Sequence, residues 1–115
     1  MKPLWAKLPE AHPMSIAWRM GAGEDYAVVF WKWWSATASG WTEAQKLEYL
    51  RDWPMPAAWT HIAIEMLWPE LGDDLFEIFD ETQVELRDFI FSRAARVGLP
   101  SLETWEADLN DPSWG

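Results

Sequence analysis

The chain has 115 residues, no cysteine, eleven tryptophans and a formal charge of −10 at pH 7. Without cysteine there is no disulfide framework, thiolate metal site or cysteine nucleophile, and a net anion of this size disfavours direct contact with nucleic acid or an anionic membrane. The length fits one domain over residues 1–115, and folding such a chain can bury about two-thirds of its surface.

Residues 1–14 carry Pro3, Pro9 and Pro13 and no long apolar run, which predicts an irregular lead-in rather than a signal peptide. No segment approaches the ~20 apolar residues of a bilayer span, so the expectation is a cytoplasmic protein with no membrane contact. Residues 15–20 alternate, with Ile16, Trp18 and Met20 on one side, which predicts a short extended segment. Gly21-Ala22-Gly23 then breaks the chain. The two glycines suggest the opening of a dinucleotide-binding turn, but the third glycine is replaced by Tyr26, and Glu24 and Asp25 repel phosphate. A helix-start turn is the ordinary reading.

Glu24 and Asp25 open a helix carried to about Ala38, since acids suit the positive end of a helix dipole. Phe30 and Trp34 share its core face, while Trp31 and Trp33 fall on the two flanks. Ser39-Gly40 ends it. Thr42-Glu43-Ala44-Gln45 is a capping box and starts a helix to about Arg51. Trp53-Pro54-Met55-Pro56 reads as a connector. The next helix, about Ala57 to Trp68, has an apolar stripe at positions 59, 62, 63, 66 and 67, with Pro69 as its stop. A long helix is expected from Asp73 or Asp74 to about Val97. A second capping-box pattern at Thr82-Gln83-Val84-Glu85 marks a candidate break near 80–82. A final helix runs from Ser101 to near Leu109, followed by a short tail. The fold class is therefore all-α, one small domain of four or five helices. The expected core is Phe30, Trp34, Leu47, Leu50, Trp59, Ile62, Met66, Leu75, Phe79, Leu86 and Ile90.

Segment 65–88 holds nine acids against Arg87 alone. On a continuous helix, Glu77, Glu81, Glu85 and Asp88 form one anionic stripe, suited to steering a basic protein partner. The same stripe supports a second reading, in which its carboxylates imitate nucleic-acid phosphates and block a nucleic-acid-binding protein. Solvation alone also accounts for such a face. Tryptophan supplies the other signal, because its large apolar ring and single N–H donor are favoured at interfaces. Trp31 and Trp33 are candidate anchors. Leu102, Trp105 and Leu109 share one face of the last helix and suit docking into a partner's groove, against the plainer reading that they pack on this protein's own core. Exposed rings, with Trp53 and Trp59 among the candidates, also suit a carbohydrate or planar ligand. A homodimer is a further way to bury surplus tryptophan.

Chemistry finds less support. His61 and Glu65 stand four residues apart at the edge of their helix's apolar stripe, a spacing open to a metal or an acid–base pair, and most simply a boundary ion pair. The Glu-x-x-His pattern of helical di-metal sites is missing, because Ala58 stands three residues before His61. No nucleophile elbow or cofactor motif is found. The sequence therefore predicts a non-enzymatic accessory protein that holds no cofactor or metal. It would bind another protein through tryptophan and an acidic face.

Overall fold

The computed structural model describes residues 1–114 and shows seven α-helices and three 3₁₀ turns, with no strand among the described residues. The chain divides into two compact units. One comprises Met1–Pro56 together with the C-terminal residues from Asp111; the other is the continuous stretch Ala57–Asn110. The all-α class is as expected. The higher helix count comes from a one-turn helix within the lead-in and from division of the long helix expected over 73–97.

In the first unit, the expected irregular lead-in is corrected to a docked element. Helix α1 (Leu4–Lys7) buries Leu4 and Trp5. Three polar handles from distant residues hold this segment: Trp5 Nε1–H donates to the Trp53 carbonyl (2.9 Å), Tyr26 Oη–H to Lys2 (2.7 Å) and Tyr49 Oη–H to Met1 (2.7 Å). The extended segment expected at 15–20 is also corrected, to a 3₁₀ turn over Ile16–Trp18. Ser15 Oγ accepts from the Ala17 amide (3.1 Å), a local bond that competes with an extended backbone.

Helix α2 (Gly21–Ala38) starts with Gly21 at φ 65 and buries Gly23, Phe30, Trp34 and Ala38. Gly23 has to lack a side chain, because a Cβ there would lie 1.9 Å from the Ala17 carbonyl oxygen. The glycines thus let the preceding turn pack against the helix start. Helix α3 (Glu43–Asp52) begins at the predicted capping box. Thr42 Oγ1 accepts from the Gln45 amide (3.2 Å), and Gln45 Oε1 accepts from the Thr42 amide (2.8 Å). Trp34 is buried against Tyr49 and Trp41, with ring centroids 5.2 and 5.6 Å away.

The second unit begins with a 3₁₀ turn over Ala57–Trp59, then helix α4 (Thr60–Leu67) and a further 3₁₀ turn over Pro69–Leu71. The initial 3₁₀ turn rotates the α4 stripe from its predicted position. Ile62 is half-buried, whereas His61 and Ile64 are buried with Ala63, Met66 and Leu67. Leu47 and Leu86 are likewise half-buried, and Phe79 is exposed, so these four expected core residues lie at the margins.

Helix α5 (Asp74–Glu77) stops after one turn, and helix α6 runs from Val84 to Ala95. Between them, Asp80 Oδ1 accepts from both the amide and the hydroxyl of Thr82 (2.9 and 2.7 Å). This local Asp turn offers the backbone an alternative to the helix ladder. Buried Arg87 donates from Nε to the freed Ile78 carbonyl (2.8 Å) and pairs through Nη1 with Glu106. Helix α7 (Leu102–Leu109) is capped by Ser101, and its Asp108 carboxylate accepts from the Ala58 amide (2.8 Å).

Candidate functional site

Trp105 has no exposed surface, so the expected interface role is corrected to a core role. Its Nε1–H donates to His61 Nδ1 at 3.1 Å. Phe91 packs on it in a tilted arrangement at 5.2 Å, Phe79 edge-on at 5.4 Å, and the Arg87 guanidinium lies 6.0 Å from its ring. Leu102 and Leu109 are half-buried on the same helix. The i, i+3, i+7 pattern is thus used within the second unit, where α7 packs on the 57–59 turn.

His61 is buried rather than at a boundary, and its Nδ1 is an acceptor, which requires that nitrogen to be unprotonated. Glu65 is half-buried on the same helix, and burial raises its carboxyl above the ordinary value. Among the described residues no group of three or more His, Asp or Glu side chains gathers where it could hold a metal ion.

The remaining candidate tryptophans, of which Trp59 also belongs to the expected core, divide further. Trp33 is half-buried in the aromatic cluster, 5.8 Å from Tyr49 and 6.0 Å from Phe30. Trp59 is buried. Trp53 is half-buried, and its carbonyl receives Trp5. Trp31 is half-buried too, edge-on to Phe30 with ring centroids 5.4 Å apart. It lines a shallow concavity with Trp18, Ala27, Val28 and, at the ends of the same helical face, Glu24 and Lys32.

The acidic segment is rearranged as well. Glu77 ends α5, Glu81 lies in the intervening turn, and Glu85 and Asp88 belong to α6. All four are exposed, but the continuous helical stripe is corrected to two short arrays separated by the Asp80 turn. The hydrogen bonds from Thr82 lower the Asp80 carboxyl below its ordinary value and so favour its anionic form. The regular spacing that phosphate imitation needs is interrupted at this point.

Sequence reading missed the apolar component of this surface. Phe76 is 81% exposed and Val84 59% exposed within the acidic segment, and Phe89, directly after it, is 59% exposed. These three large apolar side chains recur at intervals of eight and five residues, each with carboxylates beside it in sequence. The available signal was that Phe76 and Phe89 fall off the apolar face formed by Leu75, Leu86 and Ile90. Near the C-terminal end of α6, Arg93 lies 4.4 Å from the Trp68 ring and pairs with Glu70 at 3.2 Å, so its charge is already engaged within the unit. No helix among the described residues is long and apolar enough to cross a membrane. The chain matches no known protein-family model, no curated protein and no solved structure.

Proposed function

We propose that the protein is a non-enzymatic accessory protein that binds another protein through the acidic segment of its second unit. The observation that supports this is the interleaving of exposed Phe76, Val84 and Phe89 with exposed Glu77, Glu81, Glu85 and Asp88. Apolar rings supply the desolvation energy of an interface, and surrounding carboxylates steer and orient a partner of opposite charge. The partner is a protein with a basic, partly apolar surface. With Trp105 and Trp33 occupied inside their own units, the anchoring role falls to phenylalanine. The absence of cysteine fits the cytoplasm, and no cofactor, metal or bound nucleic acid is part of the reading.

The test is affinity capture of the tagged protein from nuclease-treated lysate, eluted in rising salt. Truncating an anchor at the centre of an interface typically costs about 2 kcal/mol or more, or roughly thirtyfold in affinity. Phe76→Ala with Phe89→Ala should therefore release the stoichiometric partner. Neutralising Glu77, Glu81, Glu85 and Asp88 together should move its elution to lower salt. Recovery of the bait alone, or a partner retained by both variants, would overturn the reading.

A further inference from the structure

The outer face of α2 combines an open apolar surface with charges of both signs. Val28 and Val29 are each about half exposed, and Trp31 lines the concavity beside Val28, Ala27, Ser35 and Ala36. Glu24 and Asp25 are exposed near the start of this face, and Lys32 is exposed two turns further on, about 12 Å along the axis. Val28 lies midway between Glu24 and Lys32 in sequence.

We infer that this face is a docking surface for a second copy of the chain, arranged as an antiparallel pair of α2 helices about a two-fold axis at Val28. The inference is independent of the acidic-segment reading, since it rests on different residues in the other unit. A two-fold interface must be self-complementary. With the axis at Val28, Glu24 of each copy is level with Lys32 of the other, so two opposite-charge pairs flank the central valines. Asp25 adds a second carboxylate near each lysine. A uniformly basic partner would meet Lys32 on this face, and a uniformly acidic one would meet Glu24 and Asp25. A reversed copy of the same helix answers both signs. The small side chains Ala27, Ser35 and Ala36 permit the close spacing of about 8–10 Å at which helices pack. The pairing would cover Val28 and Trp31.

Sedimentation equilibrium at about 0.15 M salt tests this, because long-range repulsion between the anionic copies is screened over roughly 8 Å there. Across about 1–100 μM protein, a range that reads micromolar dissociation constants, the average mass should rise from monomer toward dimer. Lys32→Glu sets like charges against each other and should weaken dimerisation at least about tenfold, by loss of two opposed pairs. Val28→Asp places two carboxylates on the axis and should do the same. Glu24→Lys and Asp25→Lys combined with Lys32→Glu exchange the signs within one chain and should restore the dimer. All these positions are exposed, and helical circular dichroism should be unchanged in every variant. A wild-type chain that stays monomeric throughout overturns the inference, as does a dimer that neither single variant disturbs. Failure of the sign exchange to restore association overturns the antiparallel arrangement.

Discussion

The two units bury tryptophan by different means. In the first, Trp34 lies among Phe30, Trp33, Trp41 and Tyr49, surrounded on several sides by aromatic faces and edges. In the second, Trp105 is held by a hydrogen bond to His61 and sits near the ion pair of Arg87 and Glu106, with Phe79 and Phe91 completing its surroundings. An aromatic cluster tolerates exchange of one ring for another of similar size. A ring fixed by directional polar bonds does not, because replacing it leaves a buried acceptor behind.

The largest expected effect is on that contrast. Trp105→Ala should cost about 3–5 kcal/mol in urea unfolding, the usual range for removing a buried aromatic side chain. The sharper comparison uses phenylalanine at both centres. Trp34→Phe should cost mainly volume. Trp105→Phe should cost about 1–3 kcal/mol more, because it also leaves His61 Nδ1 without the indole donor. Equal costs would show that the polar contacts contribute nothing beyond packing.

A smaller effect is expected at the start of α2. Gly23→Ala drives a methyl group into the Ala17 carbonyl and must displace the 16–18 turn, at about 1–3 kcal/mol for overpacking. Near-ultraviolet circular dichroism should change as Trp18 shifts. An unaltered spectrum and midpoint would show that the close approach is relaxed without strain.

The smallest effect concerns Glu65. Burial raises its carboxyl, so the folded state holds that proton more tightly than the unfolded chain. At about pH 3 both states are protonated and the group contributes no pH dependence. As pH rises through the ordinary carboxylate range and then the raised folded value, ionisation increasingly costs the folded state. Glu65→Gln should therefore show a stability gain relative to wild type that is larger at about pH 7 than at about pH 3. A gain that is independent of pH would assign the effect to packing.

Features determined by neighbouring residues were legible in the sequence. The Thr42 capping box and the Ser101 start of α7 carry their own hydrogen-bond partners within three residues, so their positions could be read directly. Periodicity also placed Leu102, Trp105 and Leu109 on one face, but it could not say what that face meets. An outside groove and this protein's own core both stay open for Trp105 on that evidence, and the partner it meets is His61, on another helix. The candidate break near Thr82 was visible, yet its cause was not, because Asp80 takes both Thr82 donors in place of the expected cap. The lead-in was least legible. Its anchors at Tyr26, Tyr49 and Trp53 are remote in sequence, and no local pattern encodes such bonds. At the candidate interface, composition alone marks the acids, whereas the exposure of Phe76 and Phe89 depends on which side of each short helix the rest of its unit covers.

The bond between Ala58 and Asp108 has a kinetic consequence. The first unit is discontinuous in sequence, and the His12 and Trp114 rings meet edge to face at 5.5 Å across it. In an open chain, that encounter requires closing a loop of nearly the full length, with the associated entropy loss. The second unit is continuous, and its amide–carboxylate contact at 2.8 Å brings its two ends together. Once it has folded, the remaining loop contains little more than the flanking segments. Early formation of the inserted unit would therefore speed completion of the other, and Asp108→Ala, by removing a clasp internal to the inserted unit, should slow its formation and, through it, the closure of the other.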